Sequence, residues 1–599
     1  MRCEIPEKPA STWARTPSKV QARQTPRILV LNLTRLGDLV QMGPLLAGLR
    51  ARHPRARLGL LALSAFAPVA RLLPGVDEVL ELDQDQVVGR LLDARRPLSA
   101  RAAWQRGLVR ELRGEGWDLV INLSHSRDSA VLASLLARGE VRGIHALADG
   151  RLAVGHPWAQ YFFCVTGNRA LNQLNLVDIY RRAGDLAPGE GDRLELRVGP
   201  AAMARADELL AGLPAARGPL VLVQPGASCA NRRWPPERLA QALRRLHTEA
   251  GAAFLLLGSG AEAPLCAELA ELARGLPLLD LAGRTSLEEL AALCSRGELL
   301  ITNDTGTLHV AAARGLPSVS LFFATALPWE TGPWREGCLI LHAEMECAPC
   351  SHHVSCPHVM CRERIGAGLV ADAALELLRR RGWPATPGAG WLAAPGAQVW
   401  ETARGADGLL DLRPLGRRRP GAEELAGRIY RRLWRTRLGD AAAAGPRLSW
   451  RDELRGWLSD WDAPSPAAWR ELAGWERDLE TQAALADEGL ALVSRAQAGL
   501  ARADAAALSA AVEALPRLDD RLHRLELSRP LLRPLGALFR LGRDELREEE
   551  SLERLGAQAG ALYRELGERS RRMAELAREA RVLLEAAPAA LAARQEAEA

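Results

Sequence analysis

The chain has 599 residues, 48% of them hydrophobic and 25% charged, with a net charge of +5. So small a charge for the length gives no case for nucleic acid as a partner. The length exceeds what one hydrophobic core can serve, and at about 150 residues per unit it implies three or four domains.

Residues 1–26 are polar, rich in Pro, Ser, Thr and Arg, and lack the apolar core of a signal peptide. They are expected to be disordered. No run approaches the roughly 18 apolar residues of a spanning helix, so the expected location is cytoplasmic, with peripheral contact at the inner face of the cytoplasmic membrane left open. From Arg27 onward, short apolar runs alternate with helical stretches, the pattern of a parallel sheet wrapped by helices. The first series of strands is expected at 27–33, 58–63, 78–82 and 119–123. A second follows at 220–225, 253–258 and 298–303, with a helix at 237–250 between two of them and another at 367–382 closing the series. The reading is an α/β protein with two facing Rossmann-like domains, 27–190 and 191–382.

A Pro/Gly/Ala-rich stretch, 383–399, reads as a linker. Residues 400–599 read as a mainly helical extension of unassigned role, with a small strand pair and a helix before 440. From about 464, two or three long antiparallel helices are expected, broken near Pro516 and at Pro530 and Pro534. A packing or partner-binding module fits this region. The basic and apolar segment 527–543 is a candidate for interfacial membrane contact, although its prolines spoil a continuous amphipathic helix.

The most informative stretch is ELLITNDTGTLHVAAARGLP, 298–317. A strand is expected to end at Asn303, Asp304 to cap a helix, and Thr305, Gly306 and Thr307 to form its first turn, with Gly315 beyond its C-terminus. Such a helix start after a parallel strand offers unpaired N–H groups and a positive dipole end, an anion site suited to a pyrophosphate. Gly306 permits close approach, and His309, four residues after Thr305, lies on the same face. Read alone, a capped helix with a core histidine competes with this.

This D-T-G-x-x-H element, the P-G-A-S…R-R-W-P element at 225–235 and an R-x-G-D turn at 35–38 stand in an order that resembles glycosyltransferase family 9, the ADP-heptose:lipopolysaccharide heptosyltransferases. The resemblance covers about residues 27–382 and implies a GT-B fold, transfer with inversion, and no required cofactor or bound metal. It implies Asp38 as the general base that deprotonates the acceptor hydroxyl, where capping of the following helix is the alternative role. Gly226 and Ser228 are placed at the phosphates. Arg232 stands where relatives carry Lys, and a forked guanidinium is no neutral replacement. Glu262 matches a carboxylate that holds ribose hydroxyls, and Gly283 lies in a segment matching the adenine pocket.

Weaker signals remain. Cys347, Cys350, Cys356 and Cys361 are close enough in sequence to hold a structural Zn²⁺, but the spacing is not that of a zinc ribbon, and reduced thiols are the plainer alternative. Asp83-Gln84-Asp85 reads as a surface turn rather than a metal site. His125 and Ser126 are candidates for the acceptor side, with a helix cap by Ser124 as alternative. The basic tract 413–420 reads as a solvated loop.

The resulting expectation is an enzyme that moves a heptose or related sugar from an ADP-sugar to a lipid-linked surface glycan. Its alternatives are another nucleotide sugar with another polysaccharide, or a non-catalytic scaffold whose helical tail binds a protein partner. Domain closure is expected to exclude water.

Overall fold

The computed structural model describes residues 25–598 apart from 166–167, 188, 215–217, 346, 351–355, 394–395, 417, 438–447, 463 and 547–550. The segment expected to be disordered thus lies outside the described residues but for its last two positions.

The first sheet comprises β1 (Arg27–Asn32), β2 (Arg57–Leu63), β3 (Glu78–Leu82), β4 (Trp117–Asn122), β5 (Ala137–Ala146) and β6 (Leu152–Gly155) in the order β3-β2-β1-β4-β5-β6. All neighbours are parallel except β5 and β6. The apolar run of β1 is buried on both faces, as a central strand flanked by helices requires.

The second sheet comprises β7 (Leu220–Gln224), β8 (Ala253–Leu256), β9 (Leu278–Asp280), β10 (Leu299–Asn303), β11 (Ser318–Phe322), β12 (Leu339–Ala343), β13 (Ala397–Arg404) and β14 (Leu410–Leu415). Read from β9, its six parallel strands run β9-β8-β7-β10-β11-β12, the doubly wound order, and β13 and β14 add antiparallel at the far edge. The two sheets with their helices make the expected GT-B architecture. In each sheet the chain reverses direction next to its first strand, at β1/β4 and at β7/β10. A crevice opens at such a point outside the carboxyl ends of the strands, and ligands bind there in open α/β sheets.

Beyond β14 come the helices Ala422–Arg437, Trp450–Leu458, Pro466–Ala501, Ala505–Ser528, Arg533–Asp544 and Leu552–Glu598. Two expectations for this region need correction. Pro516 does not break its helix but lies inside Ala505–Ser528, where Ala511, Leu518 and Leu522 bury against neighbouring helices and offset the lost hydrogen bond. The segment 527–543 does not offer an apolar face outward. Leu531 and Leu532 in the turn Pro530–Leu532 are buried, as are Leu535, Leu538 and Phe539 of Arg533–Asp544, a helix that packs on Pro157–Val165 and on the last long helix. Among the described residues no helix is long and apolar enough to cross a membrane.

The extension is packed onto both lobes. One continuous apolar cluster runs from Ile28 and Leu308 through Trp400 and Tyr430 to Leu584. Asp178 of the first lobe accepts from the Leu410 amide of β14 (3.0 Å) and from Trp334 Nε1 of the second lobe (3.3 Å). Gln173 Nε2 donates to the Glu424 carbonyl at 2.8 Å.

Candidate functional site

The loop after β1 and the loop after β10 meet across the crevice. Asp38 occupies the first turn of the Leu36–Gln41 helix, half-buried; its carboxylate accepts from the Arg35 amide at 3.3 Å, and its carbonyl accepts from Asn32 Nδ2 at 3.3 Å. Pro44 lies in the first turn of a second helix, Gly43–Arg52. Across the crevice, Asn303 ends β10 and the helix Gly306–Ala313 begins. Its N-cap is Thr305, with extended backbone, and not Asp304 as expected from the sequence. Gly315 follows the helix at φ +74°, the left-handed conformation that a glycine supplies.

Two glycines allow this meeting. A methyl group on Gly37 would lie 2.8 Å from His309 Cδ2, and one on Gly306 would lie 2.8 Å from Leu36 Cδ2. Gly306 therefore admits the helix that carries Asp38.

Asp304 turns away from the cap position because it pairs with Arg232. Nη1 of Arg232 donates to Asp304 Oδ2 at 2.9 Å and Nη2 donates to Ser228 Oγ at 2.5 Å, both charged side chains being nine-tenths buried. Burial pushes the Asp304 carboxyl upward, as do Glu330 and Asp38, while Arg232 and a bond from Thr331 pull it down. Arg233 instead donates to the Ala227 carbonyl, 3.0 Å.

The loops after β7, β8 and β10 are tied by Asn303 and Gln224, two residues not expected to matter from the sequence. Asn303 Nδ2 donates to the carbonyls of Pro225 (2.8 Å) and Gly226 (3.1 Å), holding the turn after β7 against β10. Gln224 accepts from Thr307 Oγ1 (3.4 Å) and donates to Glu262 (3.3 Å). Glu262 also accepts from the amide and hydroxyl of Ser259, at 2.8 and 2.9 Å, and lies so close over Gly226 that a Cβ there would meet its Oε1 at 1.8 Å. Gly283, at φ +70°, packs against Gly260. Gly226, Ser228, Arg232, Glu262, Gly283, Asp304, Thr305, Gly306, Thr307 and His309 thus converge on the carboxyl ends of β7, β8 and β10. The clue to Gln224 was available: a polar residue ending an apolar strand just before the Pro225-Gly226 turn.

His309 is buried with Nδ1 unpartnered among the described residues, and burial drives its pKa down to about 4 against the pull of Asp38. It is neutral at pH 7 and offers one N–H. On the first-lobe side, His125 stacks on Phe162 with ring centroids 4.5 Å apart. Surrounding protein lowers its pKa, while Asp38 and Glu330 pull it upward. Ser126, not Ser124, caps the helix Arg127–Leu136, accepting from the Ser129 amide; Ser124 accepts from the Leu33 amide. Glu330, unforeseen from the sequence, is held by Arg169 at 2.8 Å.

The remaining candidates stand apart. Asp83 caps Gln84–Leu92 at the surface. Cys347 is exposed, Cys350 and Cys356 are half-buried and Cys361 is buried. Among the described residues no group of three or more His, Cys, Asp or Glu is arranged to hold a metal ion. Within the basic tract, Arg418 pairs with Glu344 and Glu424 at 2.9 and 2.8 Å rather than standing in a solvated loop.

Known proteins resemble this chain in part. Residues 105–358 match the model of glycosyltransferase family 9 (heptosyltransferase). A lipooligosaccharide heptosyltransferase 2 of Campylobacter jejuni is 28% identical over 164 residues, which is 26% of this chain and half the length of that relative. A lipopolysaccharide heptosyltransferase 2 of Salmonella typhimurium is 26% identical over 313 residues, 49% of this chain and 82% of the relative. Among solved structures, a family 9 glycosyl transferase of Veillonella parvula shares 21% identity, with a TM-score of 0.47 over 59% of this chain and 98% of that one. The ADP-heptose lps heptosyltransferase II of E. coli shares 21% identity, with a TM-score of 0.44 over 59% and 99%.

Proposed function

We propose, from the premise that the chain is a family 9, heptosyltransferase-like glycosyltransferase, that it moves a heptose from ADP-heptose to a lipid-linked surface glycan with inversion at the anomeric carbon. The observation that carries this reading is the contact between the Asp38 turn and the Thr305–Thr307 turn, each at the carboxyl end of a strand beside its sheet's reversal point.

The donor's diphosphate lies against the amides of residues 305–307 and the side chains of Ser228 and Arg232. Glu262 and Gly283 face the nucleoside. The acceptor hydroxyl gives its proton to Asp38 as its oxygen bonds to the anomeric carbon. The bond from that carbon to the diphosphate oxygen breaks, and the electron pair leaves with ADP. Charge growing on the diphosphate is met by fixed amides, a guanidinium and the N–H of His309, none of which needs to reorient. The acceptor approaches along the first lobe, past His125, at the inner face of the cytoplasmic membrane. The apolar faces of the helical extension are spent on packing within the chain, which favours a structural part for it over capture of a partner.

A donor panel tests this reading. ADP-heptose is expected to release ADP in the presence of a lipopolysaccharide-core acceptor at least about tenfold faster than UDP- or GDP-sugars release their nucleotides. Preference for a UDP- or GDP-sugar would move the assignment to a different surface glycan, and no turnover of any donor would leave a scaffold.

A further inference from the structure

Exposed apolar side chains concentrate in the first lobe, on the helices Gln84–Leu92, Leu98–Arg113 and Arg127–Leu136. Gln84–Leu92 has no buried residue at all, and Leu98–Arg113 has only Leu112. Leu92 and Leu98 are each 73% exposed and Val88 is 45% exposed. The neighbouring helix Arg127–Leu136 packs beside Leu98–Arg113 and shows Val131 and Leu135 outward. Five of the twelve large hydrophobic side chains that are exposed among the described residues therefore fall within residues 88–135. Scattered apolar residues need no explanation, but a concentration of them does.

The same helices are basic. Residues 84–113 hold seven arginines (90, 95, 96, 101, 106, 110 and 113) against Asp85, Asp93 and Glu111, a net +4 out of +5 for the whole chain. The two helices hold together as a hairpin: Arg101 donates to the Leu91 carbonyl at 2.8 Å, and Arg90 lies 5.2 Å from the ring centre of Trp104. The side chain of Arg95, at the hairpin tip between Leu92 and Leu98, is 93% exposed.

Topology fixes which way the tip points. β3 ends on the crevice side, and β4 begins on the opposite side because the two strands run parallel within one sheet. The sixteen-residue helix Leu98–Arg113, about 24 Å long, leads down to the start of β4, so its Leu98 end lies on the side of Asp38.

We propose that the 84–113 hairpin, with the outer face of Arg127–Leu136, is a docking surface for an anionic lipid bilayer. Leu92 and Leu98 enter the acyl boundary while Arg95, Arg96 and their neighbours meet lipid phosphates. The surface rests on the proposed function only for its purpose, that of bringing a lipid-linked acceptor to the crevice. Its location differs from segment 527–543, where Leu531, Leu532, Leu535, Leu538 and Phe539 are buried.

Co-sedimentation of the full chain with vesicles tests the proposal, using phosphatidylcholine alone and with roughly a quarter phosphatidylglycerol. Binding is expected only to the anionic vesicles and to weaken with added salt. It should fall at least about tenfold in Leu92→Ser/Leu98→Ser and in Arg95→Glu/Arg96→Glu. Both pairs are solvent-exposed, so ADP binding and the far-UV circular dichroism spectrum should stay as in the parent. Asp38→Ala should bind vesicles like the parent, which separates this surface from the catalytic reading. The proposal is overturned by absence of binding to anionic vesicles, by equal binding of the variants, or by a patch that instead mediates pairing of two chains in sedimentation analysis.

Discussion

The dual engagement of Arg232 sets the chemistry of single residues in the crevice. Its guanidinium neutralises the buried Asp304 and steadies Ser228, and the proposed diphosphate would approach the same group. Replacing it by alanine leaves a buried carboxylate without its cation, which costs about 3–5 kcal/mol, and removes charge-assisted bonds to the ligand worth about 1.5–3 kcal/mol. Arg232→Ala should therefore lower the melting temperature and weaken ADP binding by roughly tenfold or more. Adding Asp304→Asn should restore the melting temperature but not the affinity, as read by thermal shift and calorimetric titration. Recovery of affinity along with stability would reduce Arg232 to a structural role. At this scale the sequence showed which residues gather but not how they bond. The D-T-G pattern pointed to a helix start, yet the pull of Arg232 on Asp304, which shifts the cap to Thr305, comes from a residue 72 positions away.

Among the elements, legibility followed apolar periodicity. β1, β4, β7 and β10 are buried on nearly all positions and stood out as apolar runs. β5, ARGEVRGIHA, did not, because this strand towards the sheet edge carries arginines and glycines and exposes much of its length. The strand pair expected after 400 exists, but the stretch read as a linker already contributes Ala397 onward to β13, which pairs with β12. Composition could not reveal that pairing, since it depends on which edge of the second sheet lies open.

The helix Ala422–Arg437 is fastened to this hairpin by a buried ion pair. Arg431 donates to both oxygens of Asp407, at 2.7 and 2.8 Å, and to the carbonyls of Gln173 and Leu410. Burial works against the Asp407 carboxylate, but Arg431, Arg435 and Arg428 outweigh it and hold its pKa far below the usual range. Asp407→Ala should strand these cations and cost about 3–5 kcal/mol, read as a melting temperature lower by roughly 2–4 °C for a chain of this length. An unchanged melting temperature would mean that the extension is only loosely attached.

For the whole molecule, the extension changes the expectation of domain closure. First-lobe residues bond to it at Gln173, Asp178 and Asn168, the last through Pro530, while β13 makes it part of the second sheet. The two lobes already touch at Gly37 and Gly306. A hinge of the kind that opens two-domain enzymes would have to break these bonds, of which the one from the Leu410 amide to Asp178 is buried. Small-angle scattering should accordingly show a radius of gyration that changes by less than about 1 Å on saturation with ADP. A larger contraction would show that the extension rides on one lobe alone.

The central claim is that binding and proton transfer sit on opposite walls of one crevice, and Asp38→Ala tests it most directly. Measured side by side, ADP affinity should stay within about twofold of the parent, while transfer from ADP-heptose falls by about 10²–10⁴. Transfer at the parental rate, or loss of ADP binding together with activity, would contradict the account.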